Sequence, residues 1–184
     1  YLKENGYTAN DLRVFVLQGH YSNEGNFTFE NLDAAKNRVN KWLSLATLRH
    51  QVHNSLTNEQ EQLAKNETEP LYEASQSILE ALNNDLDTPR ALNIIDENFT
   101  KIANTAPENI HRHSFVGFLE HIKDLLGIDL ISTTQDISDD SKKLILERLR
   151  ARQNSDWSKS DEIRDELLKS GIALKDTSYA TTWS

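Results

Sequence analysis

From Thr8 to Gly127 the apolar residues of this chain recur at helical spacing with few interruptions, and that periodicity constrains the fold more than any other feature. Thr8 is placed to cap a first helix whose stripe, Leu12, Phe15 and Val16, stops near Gly19. Thr28 opens a long second helix in which Leu32, Ala35, Val39, Trp42 and Ala46 recur at alternating steps of three and four, so one face is buried over several turns. The polar residues 54–69 read as a helix end and loop. Pro70 suits the first turn of a third helix with Leu71, Ala74, Ile78, Ala81 and Leu82 inward. Asp87 or Thr88 caps a fourth, which Pro89 starts and which carries Leu92, Ile95, Phe99 and Ile102 before Pro107 ends the region. Ser114 is the expected cap of a fifth, with Phe118, Leu119, Ile122, Leu125 and Leu126 on its face and Gly127 at the C′ position. Four or five amphipathic helices joined by short connections pack as an antiparallel bundle.

Beyond Gly127 the pattern changes. Residues 129–140 are mostly Ser, Thr, Asp and Gln with scattered Ile and Leu, the composition of a domain boundary. Residues 142–152 then read as one helix and residues 156–170 as a second, closed by Gly171. Ile172, Ala173 and Leu174, and residues 179–183, read as two short strands about a turn at Asp176, Thr177 and Ser178. The expected fold is mainly α: a helical bundle over 1–128, a linker over 129–141, and a small mixed α/β unit over 142–184.

Charge divides along the same line. Residues 1–141 hold 11 basic and 22 acidic side chains, a net −11, whereas residues 142–184 hold 9 and 7, a net +2. An acidic surface repels nucleic acid at long range, so a polyanionic partner is expected to meet the C-terminal forty or so residues. The 184 residues contain no cysteine, which excludes disulfides, thiolate metal sites and cysteine nucleophiles. They contain no apolar run approaching the ~18 residues of a membrane span. The chain opens at Tyr1, holds no methionine and shows nothing like a signal peptide, so it reads as part of a longer protein.

Most catalytic chemistry is missing from the sequence. Its six glycines are isolated, so neither a dinucleotide fingerprint nor a Walker loop can be built. His50 and His53 stand three apart without a third ligand, which favours a solvated helix face over a metal. His111 and His113 flank Arg112 before a helix start, where capping or hydration is the stronger reading. Asp85 and Asp87 could form an acid–base pair, but turn and capping residues surround them and no nucleophile does. The informative cluster is Arg148, Arg150, Arg152, Trp157, Lys159, Asp161, Arg164 and Asp176. At 100° per residue Trp157, Asp161 and Arg164 share a narrow arc, while Ile163 and Leu167 point away from it. An aromatic ring beside an acceptor and a cation suits an unpaired base. The same residues also suit a Trp157 packed on the preceding helix among ordinary surface ion pairs, and at this point both readings stand.

A set of short motifs bears on the choice. Asn10-Asp11-Leu12-Arg13, Gly19-His20-Tyr21, Asn26-Phe27, Asp85-Leu86-Asp87-Thr88-Pro89, the run from Arg152 through Asp156-Trp157 to Asp161-Glu162-Ile163-Arg164-Asp165, and Gly171-Ile172 followed by Asp176-Thr177 and Thr181-Thr182-Trp183 occur in order along the chain. Together they resemble the C-terminal part of the cysteinyl-tRNA synthetases, over essentially the whole chain. The first motif is similar to that of the DALR helical domain of class I synthetases, and Ser22 stands where the family usually has an arginine after His-Tyr. The resemblance implies a DALR-type anticodon-binding bundle followed by a small domain that reads the GCA anticodon of tRNA-Cys. It implies anticodon contacts at Arg152, Trp157, Asp161 and Asp176, with Arg164 on the same helix face, and it moves the choice for Trp157 toward recognition. In that family a separate Rossmann-type domain activates cysteine with ATP, magnesium and zinc, using HIGH and KMSKS signatures. This sequence holds neither signature, so no catalytic residue, metal ligand or cofactor is expected within it.

From base chemistry, Asp161 can accept from both N1–H and the N2 amine of guanine, Trp157 can stack, Asp176 can accept from an exocyclic amine of cytosine or adenine, and Arg152 can donate to a base or a phosphate. The resemblance further implies a cytoplasmic protein, a monomer apart from its tRNA, with no membrane partner. Two other classes compete: the C-terminal part of a paralogous ligase joining cysteine to an amino-sugar, and a helical protein-interaction module.

Overall fold

The computed structural model describes residues 1–51, 62, 70–176 and 181–184. All of the loop expected over 54–69 except residue 62, together with His53, the turn residues Thr177 and Ser178, and Tyr179 and Ala180 of the expected second strand, lies outside the described residues. Seven α-helices occur among the described residues: α1 (Ala9–Leu17), α2 (Phe29–Ala46), α3 (Pro70–Asn83), α4 (Thr88–Ala103), α5 (Arg112–Leu126), α6 (Asp139–Gln153) and α7 (Trp157–Lys169). Two strands, β1 (Leu174–Asp176) and β2 (Thr181–Trp183), pair antiparallel with Leu174 opposite Trp183 and Asp176 opposite Thr181. The fold is mainly α with a small α/β part at its C-terminal end.

The chain forms two compact units, Tyr1–Thr134 and Gln135–Ser184. In the first, α1 packs on α2, α2 on α4, and α3 on both α4 and α5. The stripe Leu32, Ala35, Val39, Trp42 and Ala46 is buried, as are Ile78, Leu92, Ile95, Phe99, Phe115, Phe118, Leu119 and Ile122. Phe99 sits at the centre, stacked on Trp42 with ring centroids 6.2 Å apart and meeting Phe118 edge-on at 5.9 Å. The Trp42 indole Nε1 donates to Asp96 at 2.7 Å, Asp96 pairs with Arg38 at 2.7 Å, and the Arg38 guanidinium lies 5.3 Å from the Trp42 ring. Every polar group on this tryptophan is thereby satisfied inside the bundle.

Helix starts follow capping chemistry. Thr8 accepts from the Asp11 N–H while the Thr8 N–H donates back to Asp11, a complete capping box. Thr28 caps α2 and Asp87 caps α4. His111 takes the cap expected of Ser114, its Nδ1 accepting from the Ser114 N–H, so α5 begins two residues before Ser114. At the far end Gly127 adopts φ 67°, where a Cβ would come 3.1 Å from the Arg13 guanidinium that donates to its carbonyl.

Two expectations are corrected. Of the stripe Leu12, Phe15 and Val16 only Phe15 packs against the core, partly buried: Val14 is fully buried, together with Asp11, while Leu12 and Val16 are exposed. Helical spacing alone does not say which of two apolar neighbours enters the core, and here it is Val14, on a helix packed against α2. The second correction concerns residues 129–141. Through Thr134 they belong to the bundle, with Ile128 and Leu130 in its core. Asp129 accepts from the N–H groups of Ile131 and Ser132 and from Lys123 Nζ at 2.8 Å. Buried Arg49 donates to the carbonyls of Ile131 and Thr134 and to the Thr134 hydroxyl. Thr134, which looks like linker composition, serves here as a hydrogen-bond partner for a buried guanidinium, and Ser132 donates to Asp129. Only Gln135 to Ser138 then separates this segment from α6, which Ser138 caps.

Candidate nucleic-acid interface

The second unit has a small core of Ile145, Ile163, Leu167 and Leu174, with Ile137, Leu144, Ile172 and Trp183 packed at its edge. Its geometry follows from the join between α6 and α7. Asn154 ends α6, Ser155 takes a left-handed φ of 59°, and the Asp156 N–H returns to the Ala151 carbonyl at 2.8 Å. Asp156 then caps α7 by accepting from the Lys159 N–H at 3.1 Å. This tight turn carries Trp157, the first residue of α7, back beside Arg152 in the last turn of α6.

Trp157 is 57% exposed. The Arg152 guanidinium lies over its ring, 5.6 Å from the centroid. Asp161 and Arg164 follow on the same helix and are exposed, whereas Ile163 and Leu167 are buried toward the small core. The apolar stripe of α7 is therefore filled without Trp157, and the indole has no hydrogen-bond acceptor among the described residues. Lys159 pairs with Glu162 at 3.3 Å, and Arg150 is exposed on α6.

Asp176 is placed differently from the sequence expectation. It ends β1 rather than standing in the turn, and arginines hold it. Arg148 Nη1 and Nη2 donate to its two oxygens at 2.9 and 2.8 Å, Arg152 Nη1 donates at 3.2 Å, and the Thr181 hydroxyl at 2.7 Å. Hydrogen bonds from Arg148 hold the Asp176 carboxyl well below the usual carboxylate range, with Thr181 and the Arg152 charge adding to the effect against partial desolvation. Arg148 is 1% exposed. Sequence reasoning placed it among surface cations, and only its position three residues after Ile145, on the inner side of α6, hints otherwise.

In the bundle two motifs 64 residues apart meet. Tyr21 donates to Asp85 Oδ1 at 2.5 Å, and His20 Nε2 lies 3.0 Å from the Asp85 carbonyl while its Nδ1 lies 2.6 Å from Ser22 Oγ. Asp85 and Leu86 both have positive φ, and Asp87 accepts from the Arg90 N–H at 3.1 Å. Asp85 and Asp87 thus act as a turn and a cap, with no nucleophile between them. His50 Nε2 lies 3.1 Å from the Thr134 carbonyl, and His111 caps α5. Among the described residues no three His, Asp or Glu side chains gather as a metal requires, so they do not fit the zinc that the resemblance attaches to the wider family. No helix among them is long and apolar enough to cross a membrane.

Residues 134–183 match the family model described as the cysteinyl-tRNA ligase anticodon binding domain. The cysteine–tRNA ligase of Lachnospira eligens is 30% identical over 186 residues, covering 97% of this chain and 39% of the relative. That of Bacillus pumilus is 32% identical over 178 residues, covering 94% of this chain and 37% of the relative. The chain thus spans about two fifths of the length of the curated relatives it matches. The match over residues 134–183 and the two ligases aligned along nearly the whole chain support its assignment as a C-terminal part of a cysteinyl-tRNA synthetase, with residues 134–183 similar to the anticodon-binding domain.

Proposed function

We propose that residues 135–184 read the GCA anticodon of tRNA-Cys for an enzyme that attaches cysteine in an ATP-dependent reaction elsewhere in its length. Trp157 offers a face for an unpaired base. Asp161, one turn further along the same side of α7, accepts from the two donors on the Watson–Crick edge of guanine, a pair that adenine and uracil lack. Arg152 and Arg164 bind phosphate or a base acceptor, and Asp176 belongs to the same cluster. A carboxylate weakens nonspecific affinity for RNA, so its place between an exposed indole and an arginine suits base reading better than bulk charge attraction. The observation that carries the proposal is Trp157 itself: a large apolar ring left more than half exposed, its core position filled by others, with a guanidinium over it.

The zinc, magnesium and ATP that the resemblance implies belong to the parent reaction, and no step is routed through them. The test is binding of the 184-residue chain to tRNA-Cys and to the same tRNA with its anticodon guanine replaced, each at two salt concentrations. The proposal expects tighter binding of the first at both salts, with a log–log salt slope set by phosphate contacts. Equal binding of both would point to a helical protein-interaction module or to the C-terminal part of an amino-sugar ligase.

A further inference from the structure

Asp176 has no acceptor site left for a base. A carboxylate offers about four lone-pair positions, and four donors from Arg148, Arg152 and Thr181 occupy them. An exocyclic amine could enter only by displacing one. Displacing Arg148 would open a bidentate pair on a buried guanidinium whose Nε already lacks a partner. Displacing Arg152 is easier, but Arg152 is the group that covers Trp157.

We propose that Asp176 is a positioning residue: buried Arg148 grips it, and it holds the Arg152 guanidinium over the Trp157 ring, so the platform for an unpaired base is assembled before RNA arrives. This rests on the reading that Trp157 and Asp161 face the anticodon. Three elements meet in the arrangement. α6 supplies both arginines, β1 supplies the carboxylate, and the Ser155 turn brings Trp157 to Arg152. Asp176 stays about one third exposed, which leaves its outer edge beside RNA, yet its work is done through Arg152. A guanidinium fixed in place loses less freedom on binding than one that must be ordered, and a cation over an indole is attractive in itself.

The test measures two quantities on the whole chain, the indole Nε1–H resonance of Trp157 in nitrogen-15 spectra and the affinity for tRNA-Cys and its single-base anticodon variants. Asp176→Asn removes one charged acceptor and should move the Trp157 resonance in the free protein. It should weaken binding to every anticodon variant by the same factor, roughly two- to fivefold, the size of an exposed cation–π contact. Arg152→Gln leaves the Arg148 pair intact and guards against a folding defect. It should give the same resonance shift and uniform loss, and adding Asp176→Asn to it should produce no further loss. An unmoved Trp157 resonance, with affinity lost only where one particular cytosine or adenine is present, would make Asp176 a base reader and overturn the assignment. Additive losses in the double variant would overturn it too. If the parent chain shows no anticodon preference, the underlying reading falls and the assignment with it; a retained preference with an unmoved resonance removes the assignment alone.

Discussion

Each unit of this chain builds one cluster of tryptophan, arginine and aspartate, and the two share parts while differing in surroundings. In the bundle, Arg38 covers Trp42 at 5.3 Å and pairs with Asp96, which also accepts the indole N–H. In the C-terminal unit, Arg152 covers Trp157 at 5.6 Å and pairs with Asp176, but the carboxylate turns to Arg148 and leaves the indole N–H without an acceptor among the described residues. Trp42 is fully buried and Trp157 mostly exposed. The same three side chains thus serve cohesion where the indole N–H is satisfied inside the bundle and the ring is buried, and are open to a ligand where one ring face and the indole donor are not.

That contrast can be broken by substitution. Phe99→Ala, at the centre of the bundle against Trp42 and Phe118, should lower stability by about 3–5 kcal/mol in urea unfolding followed by circular dichroism. Trp157→Ala should change stability by no more than about 0.5 kcal/mol while costing about 1–3 kcal/mol in tRNA affinity whichever base is present, because stacking tolerates any base. A large stability loss at Trp157 would make it a core residue and erase the distinction.

Next in size, Arg148→Ala should destabilise the C-terminal unit by about 2 kcal/mol, the range for hydrogen bonds to a charged group, while leaving unfolding of the bundle unchanged. Local hydrogen exchange in α6 and β1 against α4 and α5 separates the two. Acid gives a related and smaller effect. Asp176 in the C-terminal unit and Asp129 in the bundle both have carboxyls held below the usual value of 3.8, the first chiefly by hydrogen bonds from Arg148 and the second chiefly by Lys123. A lowered folded value means these carboxylates stabilise fully above the unfolded value, and the contribution drains away as pH falls below about 4 toward the folded value. Asp176→Asn should flatten that acid dependence for the C-terminal unit only, and Asp129→Asn for the bundle only, as read from urea midpoints between pH 5 and 2.5.

Much of this architecture was legible because long amphipathic stripes leave few alternatives. The run from Leu32 to Ala46 predicts its own burial, and the caps at Thr8, Thr28 and Asp87 locate helix starts. What was not legible depends on partners far away in sequence. Nothing local distinguishes Val14 from Val16 until α2 is in place. The polar segment before Gln135 reads as a linker until Arg49, some 85 residues earlier, is found donating to Thr134. The α7 face of Trp157, Asp161 and Arg164 could be drawn from helix geometry alone, since all three lie within one element. Asp176 could not, because its neighbours Arg148 and Arg152 stand 28 and 24 residues before it.

The claim that the exposed face of α7 reads a base rests most directly on Asp161. A thermodynamic cycle would pair the parent chain and Asp161→Asn with tRNA-Cys and with the tRNA altered at its anticodon guanine, folding being checked by circular dichroism. Asn keeps the size of the side chain but replaces an acceptor oxygen with a donor amine, so it meets the two donors of guanine with a like group. The account predicts a loss of about 1–3 kcal/mol for the guanine-bearing tRNA and little change for the altered one. If Asp161→Asn binds both tRNAs as the parent does, Asp161 is a solvated surface carboxylate and the exposed face of α7 does not read the guanine.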